Sequence, residues 1–330
     1  SMRRTPLRPR AQRRTIWALP LPREKGRPIP WFDLFTIRYF ETTGARLHAR
    51  VSPGLPHGRP VLLLLHGFPQ THAMWHRVAQ QLHQHYYLVM PDLRGYGDSE
   101  KAPGRADHSN YSKRAMALDM VELMDTLGVA HFYVAGHDRG GRVAHRLALD
   151  HPQRVLQLCV IDIAPTLDMY AATDFEFAKA YDHWFHLIQP APLPELMIGG
   201  NPLAYLHAKL GGWGSKNLDT IEPLALADYE RCFVQPETIH AMCEDYRASA
   251  GIDLEHDRDS RAKGEKIACP LLVLWGERGV VNRLFDPVAL WQAQCVQRVS
   301  GQLLPAGHFI PEEWPKPTAG ALLDFFEPTA

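Results

Sequence analysis

The sequence predicts an α/β fold in which a mostly parallel β-sheet is flanked by helices and carries a helical cap insertion. Short apolar runs alternate with helical patterns in residues 31–164 and again in residues 266–330. Strands that alternate with helices of this length are typical of βαβ units, whose crossovers place helices on both faces of a sheet. Residues 165–265 are rich in aromatic residues, proline and glycine and contain no strand-like apolar run. We therefore predict a two-part core, a helical cap over residues 165–265, and a basic N-terminal extension over residues 1–30.

The individual elements follow from hydrophobic spacing and turn residues. Val61–Leu65 is a continuous apolar run, which indicates a strand buried on both faces. Two helical patterns end at Gly128 and Pro152, residues that favour helix ends. In chain order we predict strands over residues 35–40, 46–51 and 60–66, a helix over 71–83, a strand over 86–90, a helix over 111–127, a strand over 131–135, a helix over 139–151, strands over 155–163 and 270–275, and a helix over 318–326.

Composition and charge exclude several classes of protein. Of 330 residues, 45% are hydrophobic and 22% charged, which excludes a disordered, collagen-like or coiled-coil chain. The net charge is zero, but residues 1–27 hold nine bases and one acid, which leaves residues 28–330 with 27 bases and 35 acids, a net charge of −8. We therefore expect no nucleic-acid partner. No apolar run approaches the ~20 residues that cross a bilayer, so no membrane partner is expected.

The cysteines bear on cellular location. There are five, an odd number, and none forms a C-x-x-C pair. This pattern indicates free, mostly buried thiols rather than a disulfide framework or a cysteine metal site, and it favours a cytoplasmic protein. His72 and His76 have a spacing at which two histidines can share a metal, but no acid partner is apparent. We therefore predict neither a metal nor a cofactor.

The most informative motif places an aspartate where many hydrolases have a nucleophile. Gly136-His-Asp-Arg-Gly140 lies between a predicted strand and a predicted helix, the context of the G-x-S-x-G nucleophile elbow. Its middle residue is Asp138. An aspartate here could simply cap the helix, but the flanking glycines favour the cramped turn of an elbow. With an ordinary pKa near ~3.9, an aspartate is ionised at neutral pH and can attack saturated carbon to form an ester.

The chain resembles the α/β-hydrolase superfamily and, within it, the fluoroacetate (haloacetate) dehalogenases, over about residues 35–327. The motifs that carry the resemblance are His66-Gly-Phe-Pro-Gln-Thr71, Asp92-Leu-Arg-Gly-Tyr-Gly-Asp-Ser99, Gly136-His-Asp-Arg-Gly-Gly-Arg142, His183-Trp184, Cys243-Glu-Asp-Tyr-Arg247 and Gly307-His308-Phe309. The resemblance implies the α/β-hydrolase fold, hydrolysis of a haloacetate to glycolate and halide without a cofactor, and a homodimer.

The resemblance also implies partners for Asp138. His308, which follows a strand-like segment over residues 302–304, is expected to activate water against the ester. Such a histidine needs an acid to orient it. Asp162, at the end of the strand over 155–163, matches the family position, and Glu277 is the alternative.

Arginines beside Asp138 indicate an anionic substrate. Arg139 and Arg142 are three residues apart on the predicted helix, so they share one face. Two guanidinium groups can hold a carboxylate by paired hydrogen bonds. The backbone N–H groups of Phe68 and Arg139 are expected, by analogy with the superfamily, to hold the oxyanion that develops when water attacks the ester.

The cap is expected to supply the groups that bind the halide. By resemblance these are His183, Trp184 and Tyr246, and Trp213 is expected to line the same cavity. The main alternative is an epoxide hydrolase, which shares the aspartate ester but uses two cap tyrosines; Tyr170, Tyr181 or Tyr205 could join Tyr246. The other alternative is a non-catalytic, ligand-binding member of the fold.

Overall fold

The computed structural model describes residues 31–214 and 217–326, so the predicted N-terminal extension lies outside the described residues. Eight strands of the described chain form one sheet: β1 (Thr36–Glu41), β2 (Arg46–Val51), β3 (Val61–Leu65), β4 (Tyr87–Pro91), β5 (Phe132–His137), β6 (Val155–Ile161), β7 (Leu271–Gly276) and β8 (Ser300–Leu304). Their order is β1-β2-β4-β3-β5-β6-β7-β8. β2 is antiparallel to β1 and β4, and the other neighbours are parallel. The predicted mostly parallel sheet is confirmed.

The helices fall into three groups along the chain. The first group is α1 (His76–Leu82), α2 (Lys113–Thr126) and α3 (Arg139–Asp150). The second lies between β6 and β7: α4 (Thr166–Ala171), α5 (Phe175–Ala180), α6 (Asp182–His186), α7 (Leu193–Gly199), α8 (Pro202–Trp213), α9 (Pro223–Phe233), α10 (Pro236–Ala250) and α11 (Ile252–Ala262). The third is α12 (Val280–Leu284), α13 (Pro287–Gln292), α14 (Ile310–Glu313) and α15 (Pro315–Phe325).

Local capping explains where the predicted helices differ from the observed ones. The helix predicted over residues 71–83 starts as a 3-10 turn, His72–Trp75, because the Thr71 side chain accepts a hydrogen bond from the Ala73 N–H. The helix predicted from residue 111 starts two residues later, because Ser112 is its N-cap and accepts from the Ala115 N–H. The last helix begins at Pro315 rather than residue 318, since proline suits a first helical turn.

The parallel strands bring the motifs together. Both faces of β3 are buried between β4 and β5. Because parallel strands end at the same edge of a sheet, the residues that follow β3, β5, β6 and β8 meet there. These residues include Phe68, Asp138, Asp162 and His308.

Helices α4–α11 contact the core near this edge. The Trp213 carbonyl at the end of α8 accepts a hydrogen bond of 2.8 Å from the His308 N–H. Tyr229 of α9 donates to Glu312 Oε1 (3.0 Å), and Gln70 donates to Glu312 Oε2 (2.5 Å). Burial raises the pKa of Glu312 to about 8.

None of the described helices is both long and apolar enough to cross a membrane. All five cysteines are buried and unpaired, as predicted.

Candidate active site

Asp138 occupies a strained turn between β5 and α3. Its backbone has φ 52° and ψ −121°, a region that non-glycine residues rarely adopt. The turn requires the two flanking glycines. A Cβ on Gly136 would lie 2.4 Å from the Gly140 carbonyl oxygen, and a Cβ on Gly140 would lie 2.3 Å from that of His66. The motif therefore builds the predicted elbow.

Asp138, His308 and Asp162 form one chain of contacts. His308 Nε2 lies 3.4 Å from Asp138 Oδ2, and His308 Nδ1 lies 2.6 Å from Asp162 Oδ2. The Gly276 N–H donates to Asp162 Oδ1 (3.0 Å), which fixes that carboxylate. All three side chains are buried. Glu277, the alternative acid, is exposed, and Asp162 holds the position beside His308.

The two oxygens of Asp138 have different surroundings. The Phe68 N–H donates to Oδ1 at 2.8 Å, whereas Oδ2 faces His308. This places the predicted Phe68 donor beside the carboxylate. The Arg139 N–H lies at the N-terminus of α3, and its role as second donor stays a prediction.

Asp138 and His308 are an ion pair. Burial opposes ionisation of Asp138, but the hydrogen bond and positive charge of His308 outweigh it and hold the pKa of the carboxyl well below its usual range. Burial likewise opposes protonation of His308, yet its hydrogen bonds to Asp138 and Asp162 raise the pKa of the imidazole. The resting site thus holds a carboxylate beside an imidazolium.

The two arginines of α3 differ in how they are held. Arg139 Nε and Nη2 donate to the buried carboxylate of Asp245 at 3.1 and 3.0 Å. Arg139 Nη1 is buried and has no hydrogen-bond partner among the described residues. The guanidinium also lies 4.0 Å from the ring centroid of Tyr246.

Arg142 is a buried cation without a carboxylate partner in the described part of the chain. Its Nη1 donates to the Ala164 carbonyl (2.8 Å) and the Thr166 hydroxyl (2.9 Å), both uncharged, and its Nε has no partner. Burial, together with the charge of Arg139, lowers the pKa of Arg142 to about 10. Arg142 therefore remains charged at neutral pH, although no described acid forms a salt bridge with it.

The predicted halide-binding residues lie close together. The His183 ring stacks on Phe68 with centroids 5.4 Å apart, and it lies 5.5 Å from the Tyr246 ring. Trp184 lies under the Arg142 guanidinium, 4.8 Å from its Cζ. All three predicted residues are buried.

Two of these groups carry polar atoms without partners. His183 Nδ1 and the Tyr246 hydroxyl are buried and make no hydrogen bond with any described residue, although Asp182 Oδ1 lies 3.9 Å from His183 Nδ1. Burial lowers the pKa of His183 to about 4 and raises that of Tyr246 well above its usual value, so both are neutral at pH 7. A buried polar group without a hydrogen bond is costly, so each one calls for an explanation, and a ligand absent from the site is one such explanation.

A small cavity opens in front of Asp138. Trp213 separates the ring of His183 from that of His308, with centroid distances of 5.0 and 5.4 Å. The space available to the centre of a water-sized sphere is about 10 Å³, which is near one water molecule. The cavity is lined by Phe68, Pro69, Asp138, His183, Lys209, Trp213, His308 and Phe309. Its size favours very small ligands.

Two charged residues at the site were not assigned a role from sequence. Asp245 lies within the Cys243–Arg247 motif, but its pairing with Arg139 joins distant positions that no spacing rule connects. Lys209 Nζ lies 2.5 Å from Asp182 Oδ1 at the cavity. Lys209 precedes Trp213 by four residues on α8, so the two share one helix face. This spacing could have predicted that Lys209 lies near the cavity expected to be lined by Trp213.

The histidines considered for a metal have a different arrangement from the one expected. His72 Nδ1 lies 2.8 Å from Asp92 Oδ1, and His48 Nδ1 lies 2.8 Å from Asp92 Oδ2. The inference that His72 has no acid partner was therefore wrong. Asp92 follows β4, a position whose distance from His72 the sequence spacing does not reveal. Arg50 donates to His72 Nε2 at 2.9 Å, which places a cation beside this cluster. His76 instead packs on Trp31.

Known proteins resemble this chain over most of its length. The alpha/beta hydrolase fold family matches residues 60–315. A fluoroacetate dehalogenase from Burkholderia sp is 47% identical over 81% of this chain and 86% of that protein. A soluble epoxide hydrolase from Corynebacterium sp. (strain C12) is 31% identical over 86% of this chain and 95% of that protein. The crystal structure of ALR0039 from Nostoc sp PCC 7120 aligns with a TM-score of 0.86 and 53% identity, covering 90% of this chain and all of that one. The chain therefore belongs to the α/β-hydrolase superfamily and, within it, to the fluoroacetate (haloacetate) dehalogenase family.

Proposed function

We propose that this hydrolase cleaves the carbon–halogen bond of haloacetates, converting fluoroacetate and water to glycolate and fluoride. The observation that carries the proposal is the set of unpartnered buried groups around Asp138, namely Arg139 Nη1, Arg142 Nε, His183 Nδ1 and the Tyr246 hydroxyl. Cationic donors suit a carboxylate, and neutral donors suit a leaving halide. The 47% identical Burkholderia fluoroacetate dehalogenase supports the same reaction.

In the first step, the arginines hold the substrate carboxylate and place its α-carbon before Asp138. Because Phe68 engages Oδ1, Oδ2 is the attacking oxygen. The Oδ2–carbon bond forms as the carbon–halogen bond breaks, and the halide leaves with the bond's electron pair. His183, Trp184 and Tyr246 stabilise the departing halide.

In the second step, water hydrolyses the ester. Esterification removes the charge of Asp138, one of two carboxylates that raise the pKa of His308, so the imidazolium releases its proton. Neutral His308 then takes a proton from water while the oxygen of that water attacks Asp138 Cγ. The oxyanion forms on Oδ1, beside the Phe68 N–H. The ester C–O bond breaks, and His308 gives that proton to the departing glycolate oxygen. The remaining hydrogen of the water, now on the Asp138 carboxyl group, passes to His308 and restores the carboxylate and the imidazolium. Since neutral His308 is required, we expect turnover to rise with pH through the pKa of His308 in the ester.

A direct assay separates the proposal from its main alternative. The enzyme is incubated with fluoroacetate, chloroacetate and styrene oxide, and halide and diol are measured. We expect halide release and no diol, because the cavity is small and because Arg142, a buried cation with no salt bridge to a described acid, suits an acid substrate. Diol without halide would instead favour epoxide hydrolysis, to which the Corynebacterium relative points. An epoxide hydrolase would need a second tyrosine beside Tyr246. Tyr246 contacts Phe68, but the hydroxyl of Tyr170, one candidate for the second tyrosine, already donates to the Trp184 carbonyl.

Tyr246→Phe tests the halide site. The substitution removes the hydroxyl but keeps the ring against Arg139 and Phe68. A hydrogen bond to a charged group contributes about 1.5–3 kcal/mol, so kcat for fluoroacetate should fall about 10- to 100-fold. For bromoacetate, whose leaving group needs weaker hydrogen bonding, we expect a smaller loss. Tyr205→Phe is the matched control, because this buried cap hydroxyl also lacks a partner but its ring packs on Phe233. Equal losses for both halides would assign Tyr246 to packing instead.

We also propose that the enzyme is a cytoplasmic homodimer. Leu193, Leu196 and Met197 share one face of α7 and are 51%, 67% and 61% exposed. Burying such a patch against a second copy is favourable. Light scattering should give a dimer mass, and Met197→Glu should shift it toward monomer, whereas Leu118→Glu on α2 should not. A monomeric wild-type chain would contradict this.

A further inference from the structure

A second, larger cleft lies outside the catalytic cavity and shares a wall with it. Its volume is about 670 Å³. It is lined by Lys179, Ala180, Asp182, Gly212, Trp213, Gly214, Arg278, Val280 and Arg283. Trp213 lines both spaces, so this residue borders the cleft as well as the cavity that holds Asp138.

The charges along this cleft are strongly unbalanced. Lys179 and Arg283 are exposed, and neither forms a salt bridge with any described residue. Arg278 donates from Nη1 to the Pro305 carbonyl (2.9 Å), while its Nη2 lies 3.7 Å from Glu313. The single acid in the lining, Asp182, is already paired with Lys209. The cleft is therefore positive on a body that carries a net charge of −8 from residue 28 onward.

Two further cations, Lys209 and Arg142, lie near the catalytic cavity. Lys209 lines the catalytic cavity beside Trp213. The charge of Lys209 is offset by Asp182, whose Oδ1 lies 2.5 Å from Nζ. Arg142 is buried and has no salt bridge to any described acid. The three cations of the cleft therefore supply positive charge outside the catalytic cavity, and Arg142 supplies it in the interior.

We propose that the cleft lined by Lys179, Arg278 and Arg283 is a vestibule that gathers small monocarboxylates before they reach the catalytic cavity. This inference rests on the proposed haloacetate hydrolysis. A cleft of one sign of charge concentrates ions of the opposite sign, and salt screens the effect. On an acidic body, a short anionic substrate would otherwise be repelled. The vestibule raises the occupancy of the site and leaves the chemical step unchanged.

The kinetic test neutralises the vestibule. Lys179, Arg278 and Arg283 are changed together to Gln, and the matched control changes Arg258, Lys266 and Arg298, three exposed cations elsewhere, to Gln. At low ionic strength we expect KM for chloroacetate to rise about tenfold in the vestibule variant with kcat unchanged, and the difference to shrink to about twofold in ~0.5 M salt. KM for the neutral analogue chloroacetamide should stay unchanged. An equal rise in the control variant, or a fall in kcat alone, would overturn the proposal.

A second measurement does not depend on catalysis. Iodide, an anionic quencher, and acrylamide, a neutral one, are compared on tryptophan fluorescence, with Trp213→Phe used to isolate the Trp213 component. We expect iodide quenching of that component to fall in the vestibule variant while acrylamide quenching stays the same. Unchanged iodide quenching would refute the vestibule even in an active enzyme. If iodide quenching of Trp213 falls in the vestibule variant as expected but the wild-type enzyme releases no halide, only the proposed function is refuted.

Discussion

Replacing His308 with Asn is expected to stop turnover after the first step and leave an ester on Asp138. The attack on the substrate needs only the carboxylate, whose low pKa keeps it ionised. Hydrolysis of the ester needs a base, and Asn cannot accept a proton from water. Turnover should fall at least ~10³-fold, while halide is released once per active site. Intact-protein mass after incubation with chloroacetate should increase by one carboxymethyl group, located at Asp138 by peptide mapping.

The matched control is His131→Asn, which changes a surface histidine that bonds to the Gln153 carbonyl. It should turn over normally and gain no mass. An unmodified His308→Asn protein that also releases no halide would argue against a two-step mechanism.

Arg142→Met is expected to abolish most activity on haloacetates while leaving the fold intact. The substitution removes a buried charge that would hold the substrate carboxylate. Losing one side of a buried charged contact costs about 2–5 kcal/mol, so kcat/KM should fall about 30- to 5,000-fold. Because no described carboxylate is paired with Arg142, its loss strands no buried acid and removes only the hydrogen bonds to the Ala164 carbonyl and the Thr166 hydroxyl. The free energy of unfolding in urea should therefore fall by only about 1 kcal/mol.

Arg139→Met provides the contrast. Arg139 is one of two cations that hold the buried Asp245, the other being Lys113. Removing it leaves that carboxylate partly unpaired, and the free energy of unfolding should fall by about 3 kcal/mol. If Arg142→Met were as destabilised as Arg139→Met, or still processed chloroacetate normally, Arg142 would be structural.

Most of the fold, and the meeting of Asp138, Asp162 and His308, could be predicted from local sequence patterns and strand order. The composition of Val61–Leu65 predicts a buried strand, and Gly136 and Gly140 predict the strained turn that holds Asp138. Asp162 and His308 follow strands of a parallel sheet, so their convergence follows from the topology. The first residues of helices were predicted less accurately, because one capping residue, such as Ser112, decides where a helix begins.

The rest of the site depends on contacts between distant parts of the chain. Nothing near Arg139 indicates that Asp245 will hold it, and so its difference from Arg142 was not predictable from spacing. The same holds for Asp92, which pairs with His48 and His72 only after the sheet forms. The vestibule combines residues of the cap with the loop after β7, which no local pattern joins.

The central claim is that Asp138 attacks the substrate and that water then attacks Asp138. It is tested most directly by a single turnover of chloroacetate in water enriched in ¹⁸O, with enzyme in excess and both the product and the Asp138 peptide examined by mass spectrometry. The account predicts unlabelled glycolate, because its new oxygen comes from Asp138, and one ¹⁸O in the Asp138 carboxylate. Labelled glycolate with an unlabelled Asp138 would show that water attacks the substrate directly and would contradict the account.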